Sequence, residues 1–210
     1  MDLIDLLMRS SLYDERINEF FSFEPLGSAR RFETARRLCS LSFEHSRGVK
    51  SLVAAGLCSS AAALMRVQYE SLVRAMWSLY GASNEQVDEL LAELTPSSGR
   101  RASRASVSIN SMLNAVQEKA PHAPVKSLRE FKDSSWYPLN SFVHGGIHAV
   151  IRHGEGFPVD LAIMMVRLSN ALLGISGDLI RIMAGIRPEE GRMAGLQREF
   201  SDCLPESVAG

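Results

Sequence analysis

SARRFETARRLCSLSFEHSRGVKSLVAAGLCSSAAALMRVQYESLVRAMWSLYG, residues 28–81, decides the fold. Behind Ser28, a residue suited to capping a helix, Phe32, Ala35, Leu38, Cys39 and Phe43 recur at helical spacing, and the pattern continues to about Ala55. Arg30, Arg31, Arg36 and Arg37 fall largely on the other faces, where they are expected to be solvated. Gly56 ends this helix, and Leu57 to Tyr80 form a second one closed by Gly81. Two long helices joined so tightly must return on each other as an antiparallel hairpin.

Composition extends that reading to the whole chain. Its 210 residues, 46% of them hydrophobic, suffice for one domain with a full core. Twenty-five leucines and 21 alanines stand against 2 threonines, 13 valines and 10 isoleucines, a balance that favours helix over strand. The expectation is an all-α, single-domain helical bundle over 1–210. A helical arm occupies 1–27, the bundle core 28–187, and a C-terminal helix and tail 188–210.

Within that frame, Leu3, Leu6, Leu7, Leu12, Ile17 and Phe20 mark a first helix or helix pair over 2–22, and Pro25 and Gly27 break it. A short helix over 84–94 would be capped by Asn84, and residues 95–104 read as a flexible basic loop. Residues 105–119 look amphipathic before Pro121 and Pro124. A helix over 137–151 is expected after a turn at Asp133, Ser134 and Ser135, and a long core helix over 159–186 follows. From Pro188 the chain reads as a polar helix with a frayed Ser-Val-Ala-Gly end.

The formal charge of −1 removes the uniform attraction to nucleic acid or anionic membrane that a basic domain carries, so any such binding needs a local patch. Cys39, Cys58 and Cys203 are an odd, scattered set, which points to a reducing cytoplasm and to neither a disulfide framework nor a zinc site. The N-terminus has acids where a secretory signal needs basic residues. The apolar stretch 157–186 is interrupted by Asp160, Arg167, Asp178 and Arg181 and reads as a core helix rather than a membrane anchor.

Two constellations have chemical interest. On the second hairpin helix Arg66, Glu70 and Arg74 are spaced four apart and share a face with Ser59, Ser60, Ala63, Val67, Ser71 and Ser78, mostly small residues that invite another helix. That set reads equally as an ion-pair network or as part of a site. On the helix after Pro138, Asn140, His144 and His148 share a face, with Gly145 and Gly146 marking either a close approach or a helix end. No third ligand accompanies the histidines at metal-binding spacing, so no metal and no cofactor are expected. Phosphate-loop, dinucleotide and hydrolase-elbow motifs are absent from the sequence. Arg100, Arg101 and Arg104 offer a short basic segment for a nucleic-acid backbone, and Arg74 extends the same chemistry.

Arg66-x-x-x-Glu70 in the long hairpin, followed downstream by Asn140-Ser-Phe-Val-His144-Gly, resembles the HEPN-like helical proteins, in particular their little-characterised bacterial branch. The resemblance implies a homodimer that brings two sites together, and a metal-independent endoribonuclease in a toxin or antiviral defence setting, with RNA or a nucleotide as ligand and an operon-encoded protein as partner. Asn140 and His144 match that family's polar residue and histidine. Where its arginine is expected stands Leu139, and no Arg occurs from Tyr137 to Val143. Cleavage needs a base for the 2′-hydroxyl, an acid for the leaving oxygen and a cation for the developing charge. The resemblance therefore assigns catalysis to His144, Asn140, Arg66 and Glu70, with Arg66 replacing the missing cation. The competing reading is a non-enzymatic interaction protein in which Arg66, Glu70 and His144 form a structural polar network.

Overall fold

The computed structural model describes residues 1–104, 107–186 and 192–206, with side chains described for all of these except 101–104 and 192. Among the described residues there are helices and no strands, so the all-α bundle stands.

Its centre is the hairpin of α2 (Arg30–Ala54) and α3 (Cys58–Tyr80). Gly56, at φ +75°, turns the chain out of α2, with its own N–H on the Val53 carbonyl and that of Leu57 on the Leu52 carbonyl. A side chain at that φ would be strained, which is why the break falls on glycine. α9 (Val159–Met183) lies against both hairpin helices. By length and composition α9 is apolar enough to cross a membrane, and in this fold much of it is buried.

Where the three helices meet, their polar side chains satisfy one another. Ser169 donates to the Gln68 side chain at 2.7 Å, Gln68 donates back to the Ser169 carbonyl at 2.9 Å, and the Ser46 and Ser169 hydroxyls are 3.1 Å apart. Ser42 donates to the Gln68 carbonyl, and Ser176 donates to the Ser42 hydroxyl. All five side chains are buried, and an unpaired member would cost about 1–3 kcal/mol, so the network fixes the relative register of α2, α3 and α9.

α1 (Leu3–Asn18) and the 3-10 turn Glu19–Ser22 run alongside α9 in the same direction. Asn170 donates to the Ser10 hydroxyl, and a Cβ at Gly174 would lie 2.7 Å from the Tyr13 hydroxyl. Leu6, Tyr13, Ile17 and Phe20 are buried, so the N-terminal segment belongs to the core rather than forming an arm. The Asp14 carboxylate receives a hydrogen bond from the Lys50 ammonium of α2, and both groups are largely sequestered. Burial pushes the Asp14 carboxyl up and the Lys50 ammonium down, and each partner opposes the other's shift.

The C-terminal helix α10 (Arg192–Glu199) and the turn Ser201–Cys203 close this side. Met193, Leu196, Phe200 and Cys203 are buried, so a segment that reads as polar has one apolar face. Arg9 pairs with Asp202 at 3.1 Å and lies over the Phe200 ring, while Arg16 pairs with Glu199 at 3.2 Å. Pro188 and the terminal Ser-Val-Ala-Gly lie outside the described residues.

The remaining helices depart from expectation in informative ways. α4 (Asn84–Leu90) is capped by Ser83, in a reciprocal box with Gln86, and not by Asn84, whose side chain instead accepts from Arg31. The expected loop 95–104 is largely a helix, α5 (Pro96–Arg104). Thr95 and Ser98 exchange side-chain-to-backbone bonds at its start, and Pro96 sits where a helix needs no N–H. α6 (Ile109–Val116) is capped by Ser108. The α2 arginines are not all simply solvated: Arg36 donates to the Phe21 and Phe23 carbonyls, Arg31 to the Leu79 carbonyl, and Arg30 pairs with Asp88.

The largest correction concerns 122–155. One helix, α7 (His122–Val143), runs through Asp133, Ser134, Ser135 and Pro138, and a separate α8 (Ile147–Glu155) follows. The expected 137–151 helix does not exist. Pro121 is the N-cap of α7 and Pro124 falls in its first turn, so neither removes a needed donor, while Pro138 sacrifices a single interior hydrogen bond.

Candidate functional site

α7 ends where the sequence is most unusual. His144 is its C-cap, Gly145 follows at φ +63°, and the Gly146 N–H returns 2.7 Å to the Ser141 carbonyl. A Cβ on Gly146 would lie 2.6 Å from the Ser141 hydroxyl, which is occupied in accepting the His148 N–H at 3.0 Å and so caps α8. The two glycines therefore mark a helix end, and His148 belongs to α8 rather than to the face carrying Asn140 and His144. Phe142 buttresses the corner, with ring centroids 6.4 Å from His148 and 6.0 Å from Phe157.

At 100° per residue, Tyr137, Ser141 and His144 point the same way along α7, and Asn140 lies between that line and Trp136. Leu139, which stands where the resemblance expects an arginine, faces the opposite side and is buried in the core. That direction explains why no cation can come from position 139. His144 is exposed and Asn140 half-buried, and among the described residues neither side chain is engaged in a hydrogen bond.

Arg66 reaches α7 from the hairpin. Its guanidinium carbon lies 4.0 Å from the centre of the Trp136 ring, and Nη2 is 2.9 Å from the Glu70 carboxylate. The side chain is only 12% exposed, and among the described residues its buried Nε finds no hydrogen-bond partner. Stacking on an indole while paired with a carboxylate makes a compact, largely neutralised unit. Tyr69, one residue before Glu70, stacks on Phe131 and meets the edge of Trp136, and its hydroxyl donates 3.0 Å to the Leu128 carbonyl. Burial and the nearby Asp133 raise its phenol well above the ordinary range. These contacts run in opposite chain directions, so α3 and α7 are antiparallel, and α8 also touches α3.

Arg66 and Glu70 are thus gathered onto the helix that bears Asn140 and His144, through Trp136, one turn before Asn140. Arg74 is half-buried a turn further along α3. Arg100 is exposed on α5, which packs against α4. The side chains of Arg101 and Arg104 lie outside the described residues. Among the described residues no three of His, Cys, Asp and Glu gather as a metal site.

A family model described as a family of unknown function, DUF6988, matches residues 39–206. The chain belongs to that family. No curated protein and no solved structure matches it. The matched region of DUF6988 begins within α2 and takes in Arg66, Glu70, Trp136, Asn140 and His144, while α1 lies before it.

Sequence reasoning missed Trp136, the residue that joins the two constellations. The signal was its spacing: 136, 140 and 144 advance by one turn each, a pattern hidden by placing a turn at 133–135. It also missed the buried Asp14–Lys50 pair, whose members are 36 residues apart and meet only when α1 docks.

Proposed function

We propose that this chain is an RNA-interacting protein of the HEPN-like type that pairs with a second copy and, in its active form, cleaves RNA without a metal ion. The observation that carries this reading is the exposure of His144 at the tip of α7, one turn beyond Asn140, on an element that Arg66 and Trp136 fasten to the hairpin. An imidazole in that position is free to take the proton of a 2′-hydroxyl. The oxygen attacks phosphorus, the bond to the 5′ oxygen breaks, and an acid returns a proton to that oxygen, leaving a cyclic phosphate. One imidazole cannot be base and acid at the same moment, so the second comes from the paired copy. The Asn140 carboxamide donates to a non-bridging phosphate oxygen. Arg66, enclosed between Glu70 and Trp136, acts by positioning α7 instead of serving as the expected cation, and the developing charge is met by the Asn140 carboxamide and the protonated imidazole of the paired copy.

Pairing is supported by α8, none of whose residues is buried in the single chain, and whose Ile147, Val150 and Ile151 form one exposed apolar face. The resemblance adds a toxin or defence role with an operon-encoded protein partner, and the scattered Cys39, Cys58 and Cys203 suit a reducing cytoplasm.

The enclosed Arg66–Glu70–Trp136 set favours a second, non-enzymatic reading, in which the polar groups serve only the architecture. His144 lies outside that set, which is why the first reading is preferred. Incubating a mixed RNA pool with the protein and two variants separates them. His144→Ala should lower the cleavage rate about a hundredfold or more with an unchanged melting temperature, His148→Ala should cost far less, and a chelator should change nothing. Absence of cleavage by the wild type, or cleavage that survives His144→Ala, overturns the enzymatic reading.

A further inference from the structure

We infer that Tyr137 is the platform on which a nucleobase of single-stranded RNA stacks beside the phosphate presented to His144. This rests on the RNA-interacting reading above and names the part of the ligand that α7 grips. Tyr13 and Tyr69 are buried and Tyr80 is half-buried, but Tyr137 is 80% exposed. Exposure of one aromatic ring is ordinary by itself; its position is what gives it meaning. Tyr137 precedes His144 by seven residues on the same face of α7, about 10 Å along the helix axis, roughly one or two nucleotides of an extended strand. Ser141 lies between them and is committed to capping α8, and the phenol hydroxyl makes no hydrogen bond among the described residues.

The electrostatic setting suits the same ligand. Along α7 the carboxylate nearest to the ring is Asp133, one turn before Tyr137, exposed and 4.0 Å from the Lys132 ammonium. From Ser134 to Gly154 the sequence contains no further Asp or Glu, while His144, His148, Arg152 and His153 lie in this stretch. Pro138 restrains the backbone beside the ring, so presenting the face costs little further entropy. An accessible π-face on the side of α7 that also presents the exposed His144 imidazole is the kind of feature that binds single strands through base stacking without sequence readout. A duplex offers no such free base.

The test is binding of a fluorescein-labelled, mixed-sequence single-stranded RNA to the full chain, with His144→Ala as the non-cleaving background. Adding Tyr137→Ala should weaken binding roughly ten- to a hundredfold, whereas Tyr137→Phe, which keeps the ring face, should stay within about twofold. A series of RNAs with one base removed at each position in turn should contain a site whose loss matches that of Tyr137→Ala and adds nothing to it. Because the side chain is exposed, all variants should melt together. If RNA binds and Tyr137→Ala has no effect, or if Phe and Ala are equally weak, the stacking assignment falls while the RNA reading stands. If Tyr137→Ala instead weakens self-association, the ring belongs to a copy-to-copy contact and the assignment falls. If the wild type binds no RNA, both fall.

Discussion

Asp14 and Lys50 show what a single buried contact commits the molecule to. Removing one partner leaves the other charge desolvated, whereas replacing both with apolar groups removes the penalty together with the attraction. Asp14→Asn should therefore lower unfolding free energy by about 3 kcal/mol in urea titrations, and Asp14→Leu combined with Lys50→Met should recover most of the loss. Asp178 makes a pH-dependent contribution of the opposite kind to an ordinary salt-bridged acid. Burial lifts its carboxyl to about 6, against the pull of Arg181. The folded state thus holds this proton more tightly than the unfolded chain, so its contribution is fully present below about pH 4, falls as pH rises through 6, and is level above. The stability of the wild type relative to Asp178→Asn should decline by on the order of 2 kcal/mol between pH 4 and pH 7, and a flat difference would contradict the burial assigned to it. At this scale the sequence was legible only for neighbours. Arg66 and Glu70 pair because four residues make one turn, but Asp14 and Lys50, or Arg66 and Trp136, depend on how separate helices dock.

Helix boundaries were legible where the residue that ends an element also forbids its continuation. The α2–α3 hairpin follows from Gly56 and its flanking apolar stripes, and α9 from its length. Reading α5 as a loop and splitting α7 at 133–135 have different causes. Thr95, Pro96 and Ser98 stand where a helix starts, whereas Asp133, Ser134, Ser135 and Pro138 are interior to α7, where burial of Leu128, Phe131 and Leu139 overrides their local preference. The α7–α8 junction tests that positional logic. Ser141→Ala removes the acceptor for the His148 N–H and should cost about 1 kcal/mol. Gly146→Ala drives a methyl group chiefly against the same hydroxyl, at 2.6 Å, with the Ser141 Cα and Cβ at a milder 3.3 Å, so the two changes act mainly through one contact. The double variant should be close to Ser141→Ala alone, whereas Gly145→Ala, in open space but at positive φ, should add its own strain of about 1–2 kcal/mol to either. Thermal denaturation of the set decides it, and strict additivity of Ser141→Ala and Gly146→Ala would mean that the hydroxyl is not where the two effects meet.

Across the whole molecule, unburied apolar surface is unevenly placed. Ile147, Val150 and Ile151 lie on α8 beside His144, and Ile4, Met8 and Leu12 form a second stripe on the outer side of α1. If pairing serves the site, α8 is the seam. Sedimentation at micromolar concentration should then give a dimer for the wild type and for Met8→Asp, and a monomer for Ile147→Asp combined with Ile151→Asp. A monomeric wild type would remove the second imidazole from the proposed chemistry. The contacts that finish the core have a different consequence, one of timing. Arg9 and Asp202 are 193 residues apart, and the Phe200 ring packs against Tyr13. During synthesis the hairpin can close while the ribosome is still making α7, but Tyr13 must wait for almost the entire chain before its cover exists. Throughout that interval the nascent protein displays an apolar groove along α1, and a chain arrested before Phe200 should be held by chaperones and cut by proteases that leave the finished protein alone.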